Sequence, residues 1–299
     1  MRVVVSGAGG MIGAALVPAL EGAGHEVLKL VRRAPKARGE VSWDPERGTL
    51  DPALLAGVGG AVHLAGENIA GGRWTPRRRA AIRDSRVQGT GLLARTLASL
   101  SPRPSVLVSI SASGWYGDRG DEALAEGAAP GTGFLAEVAR AWEGAADPAR
   151  SAGIRVVHPR LGIVLAREGG ALEKLVPPAR LGLGGPLGSG DQWWSWVTLD
   201  DVVSILSRLV VDDALSGPVN VTGRAVRQKD FAAALGRVLG RPAFVPAPAF
   251  ALRAMLGAMA DEMLLASQRM VAERLASRGL VPQHDEIEGA LRAVLGRPS

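Results

Sequence analysis

Three glycines at three-residue spacing, Gly7, Gly10 and Gly13, stand directly after the apolar run Val3-Val4-Val5 and open an apolar helix from Met11. No other feature limits the fold so tightly. A glycine turn of this spacing lets a strand reverse into a helix, brings backbone N–H groups against a pyrophosphate and packs helix closely on strand. The strand–turn–helix setting supplies the specificity, since isolated glycine patterns carry little information. The chain is therefore expected to open with a dinucleotide-binding unit whose phosphates lie on Gly7, Gly10 and Gly13.

The alternation continues. Strands are predicted at 3–5, 27–31, 61–64, 106–110 and 155–158, with helices at 11–21, 80–100 and 134–146 between them. Strands separated by helices form a parallel sheet covered on both faces. The segment Asp44-Pro45-Glu46-Arg47-Gly48 is turn chemistry and predicts a small hairpin after the second strand. Beyond residue 165 the pattern weakens, and Gly182, Gly184, Gly185, Gly188 and Gly190 mark a loop among Pro177, Pro178 and Pro186. Helices at 201–210 and 230–239 flank a strand at 219–221, and Pro242, Pro246 and Pro248 lead into a helical tail. The expected class is α/β: a Rossmann doubly wound parallel sheet with a smaller C-terminal cap region. Residues 1–165 are expected to form the nucleotide-binding domain, with 191–222 returning to it. Residues 166–190 and 223–299 are expected to form the substrate-binding cap with its tail.

Composition closes several classes. With 47% hydrophobic and 21% charged residues over 299 positions, the chain can bury one large core or two modest ones. It has no cysteine, which excludes disulfides, thiolate metal sites and a cysteine nucleophile. The charge excess of +6 is spread along the chain without an aromatic-rich basic stripe, so nucleic acid is not an expected partner. Arg77-Arg78-Arg79 reads as a solvated helix face. Apolar stretches fall short of spanning length and the first is too short for a signal, so a cytoplasmic protein with a small-molecule substrate and no membrane partner is expected. No histidine and carboxylate spacing suits a metal, and Asp200-Asp201 reads as a helix start.

The second strand ends Leu30-Val31-Arg32-Arg33. NAD-binding folds carry an acidic residue there for the adenosine 2′-hydroxyl, whereas guanidinium groups match a 2′-phosphate with charge-assisted bonds. Arg32 and Arg33 therefore favour NADP over NAD. At the end of the next strand, Leu64-Ala65-Gly66 offers little side-chain bulk where adenine and ribose approach the backbone, and His63 reads as a strand-packed histidine.

With these residues, longer segments complete a family pattern: His63 to Asn68, Arg73-Trp74-Thr75, Ser85-Arg86-Val87, Ser111 to Gly117, Gly133 to Ala136, Pro159 to Gly162 and Trp194 to Val197. Over nearly its whole length the chain resembles the atypical, extended short-chain dehydrogenases/reductases of the NAD(P)-dependent epimerase subgroup, including a C-terminal domain of unknown function. The resemblance implies NADP(H) held by Gly7, Gly10, Met11, Ile12, Gly13, Arg32, Arg33, Leu64, Ala65, Gly66, Ser111, Pro159 and Leu161. It implies an epimerase or oxidoreductase acting on a small polar substrate, with a sugar nucleotide as one candidate. Some relatives carry a cell-division-inhibitor name, so a non-catalytic NADPH-binding regulator is the alternative. Extended relatives often dimerise through the helices at 80–100 and 134–146, whose apolar positions suit a homodimer.

The chemistry departs from the family. Short-chain reductases use a tyrosine and a lysine four residues later, the lysine lowering the tyrosine pKa. By resemblance those positions hold Phe134 and Val138, neither of which moves a proton. Lysine occurs only at Lys29, Lys36, Lys174 and Lys229, and the single tyrosine, Tyr116, has Gly120 four residues on. Substitute candidates are Ser111 or Ser113 in the loop after the fourth strand, Tyr116 as a general acid against a merely packed tyrosine, and Glu67. Glu67 becomes an acid or base if its surroundings are dry, and an ion-pair partner of Arg73 or Arg86 otherwise. Arg73 and Arg86 could equally hold an acidic substrate group. Trp193, Trp194 and Trp196 suit either stacking on a ring or the core, with at least one of Trp194 and Trp196 expected in the core.

Overall fold

Val3, Val4 and Val5 have no exposed surface, because the strand they form is central and covered on both faces. The computed structural model describes residues 1–296. In chain order it begins β1 (Arg2–Ser6), α1 (Met11–Gly22), β2 (Glu26–Val31), β3 (Glu40–Ser42), β4 (Val58–His63), α2 (Pro76–Ser99) and β5 (Val106–Ser109). There follow β6 (Ser111–Ala112), β7 (Ala123–Leu124), α3 (Phe134–Gly144), α4 (Asp147–Ser151), β8 (Arg155–Leu161), β9 (Ile163–Leu165) and α5 (Leu172–Arg180). Next come β10 (Trp193–Trp194), β11 (Trp196–Thr198), α6 (Leu199–Val211), β12 (Gly217–Val221), β13 (Val226–Arg227) and α7 (Gln228–Leu239). The last elements are α8 (Ala249–Leu256), β14 (Arg269–Met270), α9 (Glu273–Ala276) and α10 (Ile287–Leu295).

The main sheet runs β12-β8-β5-β4-β1-β2-β3 with every pair parallel, and β6 lies beside β8. The chain starts at β1, builds outward through β2 and β3, then crosses to β4 on the other side. That reversal opens a crevice at the carboxyl ends of β1 and β4, where open α/β sheets bind ligands. Helices α1 and α6 cover one face, and α2 with α3 and α4 covers the other. A third core, built on Phe231, Trp194, Trp196 and Leu291, joins α5, α7 and α10 beside the sheet. The sheet is the expected Rossmann arrangement. No helix among the described residues is long and apolar enough to cross a membrane.

Local chemistry explains the helix starts. Thr75 Oγ1 accepts from the Arg78 N–H and Pro76 occupies the first turn, so α2 begins four residues before the expected 80. The Asp200-Asp201 helix start lies in α6, where Thr198 Oγ1 accepts from the Asp201 N–H and donates to its carboxylate. The small hairpin is present as an antiparallel bridge between Asp44 and Thr49, with the Asp44 carboxylate accepting from the Glu46 and Arg47 N–H groups. Strand β3, which the sequence reading missed, precedes it and extends the sheet edge. The arginine run is not merely solvated: Arg78 is ion-paired, and Arg79 lies over the rings of Trp74 and Phe134.

Candidate functional site

The glycine turn is closely packed. A Cβ on Gly13 would stand 2.2 Å from the Gly7 carbonyl oxygen, and one on Gly7, whose φ is +69°, would meet Leu64 and Ala65 at 2.8 Å. Both positions are thereby closed to any side chain. Gly9 has nothing within 4 Å of its Cβ direction, so that stretch of turn is open. Helix α1 starts at Gly10 with no side-chain cap and no acidic residue in its first turn, which leaves its N–H groups available to an anion.

The crevice above this turn, about 670 Å³, is lined by Gly7, Gly10, Leu64, Ala65, Gly66 and Arg32 among others. The buried Ser6 Oγ accepts from the Leu64 and Ala65 N–H groups and lies 2.7 Å from His63 Nδ1. His63 is fully buried, edge-on to Trp43 at 6.0 Å, and burial with the Arg86 charge pushes its pKa down to about 3. It is a neutral packed histidine, as expected.

The two arginines after β2 do not act alike. Arg33 donates to both Glu40 carboxylate oxygens at 2.7 Å, a fork that holds the Glu40 pKa down to about 2. Only Arg32 lines the crevice, and no described residue partners it. This corrects the expectation for Arg33, which is committed to Glu40 and does not line the crevice. Ile12 packs into the core, and Pro159 is buried within β8, so neither side chain lines the crevice. Met11 packs against Gly169 and Gly170 at the rim.

A second, smaller cavity of about 180 Å³ lies further along the carboxyl edge, with Ala112, Ser113, Val138, Leu161, Trp194 and Arg86 in its wall. Val138, the lysine position by resemblance, is buried there beside Leu135 and Trp142, so this wall is apolar. Phe134 stacks edge-on with Trp74 at 5.1 Å under Arg79. Of the two loop serines, Ser113 lines the cavity. Ser111 is buried and its hydroxyl has no partner, because β6 pairs with β8 and turns it inward. Of the two serines, therefore, only Ser113 stands in the cavity wall.

Tyr116 is fully buried. Its hydroxyl donates to Asn220 Oδ1 at 2.7 Å and accepts from Arg160 Nη1 at 3.1 Å, and burial raises its pKa. Arg160 in turn forks onto Glu143 and lies 3.8 Å from the centre of the Trp115 ring. A tyrosine held this way anchors the core and does not face the cavity, which corrects its candidacy as general acid. Glu67 is corrected likewise. Its side chain is about a third exposed, it lines the crevice instead of the cavity, and it pairs with Arg78 at 2.7 Å instead of Arg73 or Arg86.

Trp196 is fully buried and Trp194 nearly so, packing edge-on to Phe231 at 5.3 Å, while the partly exposed Trp193 lies between Arg227 and Arg269. Sequence reasoning missed the far wall of the cavity, Glu262, Met263 and Gln268, which comes from the C-terminal region. Glu262 accepts from the Phe134 and Leu135 N–H groups at 3.1 and 2.7 Å and so caps α3, whose own preceding residue is Gly133. Nothing local in the sequence signals a contact across that distance. Among the described residues no cluster of His, Asp and Glu could hold a metal.

Comparison with known proteins fits this geometry. The model of the NAD dependent epimerase/dehydratase family matches residues 3–221, and that of a domain of unknown function, DUF1731, matches residues 247–294. The chain belongs to the NAD-dependent epimerase/dehydratase family. Epimerase family protein Mb2239 of Mycobacterium bovis is 41% identical over 297 residues, 99% of this chain and 98% of that protein. The crystal structure of human SDR39U1 (isoform 2) with NADPH superposes with a TM-score of 0.90 at 32% identity, covering 100% of both chains. A nucleoside-diphosphate sugar epimerase from Corynebacterium glutamicum gives a TM-score of 0.82 at 36% identity, covering 99% of this chain and 58% of that one. This chain is thus an atypical member of the short-chain dehydrogenase/reductase type, without the tyrosine and lysine pair.

Proposed function

We propose that this chain is an NADP(H)-binding oxidoreductase or epimerase acting on a small polar substrate. The observation that carries the reading is the pairing of an uncapped α1 terminus over a glycine cradle with one unpartnered arginine, Arg32, on the crevice wall. Gly7, Gly10 and the first N–H groups of α1 would hold the pyrophosphate, and Arg32 the 2′-phosphate. The NADPH bound to human SDR39U1, which this chain matches over its full length, supports the same cofactor here. A bound nicotinamide supplies hydride donation or acceptance. The remaining work falls to this chain's residues: Val138, Leu161 and Trp142 exclude water from the cavity, and Ser113 and Gln268 offer hydrogen bonds that orient a substrate oxygen.

A second reading, a regulator that binds NADPH without turning it over, draws on the apolar residues at the tyrosine and lysine positions. The two separate in one assay. Protein saturated with NADPH is mixed with a panel of carbonyl compounds and sugar nucleotides while absorbance at the nicotinamide band is followed. Net oxidation of NADPH, or epimer formation read by NMR with the cofactor level unchanged, supports the enzyme when it is lost in Ser113→Ala; tight binding with neither across the panel supports the regulator.

A further inference from the structure

Among the described residues two arginines are buried, Arg86 and Arg160, and their charges are met differently. Arg160 forks onto the Glu143 carboxylate at 2.9 and 3.0 Å. Arg86, only 7% exposed, meets no carboxylate among the described residues. Its Nη1 donates to the carbonyl oxygens of Glu67 and Ile82, both at 3.0 Å, its Nε is buried without a partner, and its Nη2 makes no hydrogen bond among the described residues. The Glu67 carboxylate, whose charge it feels, is bonded to Arg78. Burial draws the Arg86 pKa down to about 10, which leaves the group charged at neutral pH. A buried charge without a counter-ion is costly.

The Arg86 side chain stands in the cavity wall. It lies over the Trp142 ring at 4.9 Å, and a Cβ on Gly66 would stand 3.2 Å from its Cζ, so the backbone of Gly66 runs directly against it. It lines the cavity with Ala112, Ser113 and Val138 and does not line the crevice of the glycine turn. The one acidic residue in the cavity wall, Glu262, is held by the N–H groups of α3.

We propose that Arg86 is the anion-binding residue of the cavity, and that the substrate class is a small carbonyl compound bearing a carboxylate that meets its Nη2 edge. This rests on the proposed NADP(H) function. A planar guanidinium matches a carboxylate, and one such group in about 180 Å³ with apolar walls at Leu135, Val138 and Ile163 suits a compact monoanion better than a nucleoside diphosphate.

The test titrates acetate, propionate, benzoate and the neutral isostere benzamide by calorimetry into protein saturated with NADPH, for wild type, Arg86→Lys and Arg86→Gln. The expected result is binding of at least one carboxylate, benzamide at least tenfold weaker than benzoate, and a loss of tenfold or more in Arg86→Gln that Arg86→Lys partly restores. The Kd for NADPH stays within threefold. The benzoate and benzamide contrast needs only wild-type protein, so it decides even where a variant fails to fold. No carboxylate bound to NADPH-loaded wild type, or equal binding by Arg86→Gln, overturns the proposal and leaves the NADP(H) reading standing. An equal loss of NADPH affinity in Arg86→Gln also overturns it, assigning the charge to a cofactor phosphate. Wild type that binds no NADPH overturns both.

Discussion

Arg32 and Arg33 are adjacent in sequence and separate in role, because Glu40 on the neighbouring strand claims one of them. A lost charge-assisted hydrogen bond costs about 1.5–3 kcal/mol, roughly 10–100-fold in affinity. Arg32→Ala should therefore raise the Kd for NADPH by at least about tenfold and leave that for NADH within twofold, as fluorescence titration can read. Arg33→Ala should disturb NADPH far less; equal losses from the two would contradict the assignment. Tyr116→Phe is expected to cost about 1–3 kcal/mol in urea unfolding, since Asn220 Oδ1 loses its donor in a buried place. Full stability with abolished turnover would restore Tyr116 as a proton donor. The sequence made these residue types legible but not their partners. Glu40 lies seven positions from Arg33 and Asn220 lies 104 from Tyr116, and a bond across a fold leaves no local periodicity to read.

Elements were more legible than contacts, and their errors have local causes. Thr75 and Pro76 are ordinary start signals that place α2 earlier than the apolar pattern suggests. Strand β3 escaped notice because Glu40-Val41-Ser42 is too short to show alternation. The cavity's far wall was illegible, since Glu262 reaches the start of α3 across 128 and 127 positions. That cap ties the C-terminal region to the helix carrying Val138, so its loss is felt at both ends. Glu262→Ala should destabilise the protein by about 0.5–2 kcal/mol. Hydrogen exchange should show faster exchange at the Phe134 and Leu135 amides. Unchanged protection there would mean the carboxylate is incidental to α3.

The whole molecule was legible as a Rossmann fold because its glycine turn, strand runs and helix runs agree with one another. Its pH response follows from burial. The folded-state pKa of His63 lies near 3 against an ordinary 6.5, and burial lowers that of His158 as well. The unfolded chain therefore binds protons that the folded chain refuses, and stability is lost as pH falls below about 6.5, by up to about 1.4 kcal/mol per pH unit for each proton. Urea unfolding between pH 6.5 and 5 should show this slope, and His63→Gln should reduce it by one proton; an unchanged slope would mean that His63 is not excluded from protonation. The claim on which the functional reading stands is that the glycine turn and Arg32 select a 2′-phosphorylated dinucleotide. Calorimetric titration of the purified protein with NADPH and with NADH tests it most directly. One NADPH per chain, bound at least about tenfold tighter than NADH, is the predicted result; no binding, or equal affinity for the two, would contradict it.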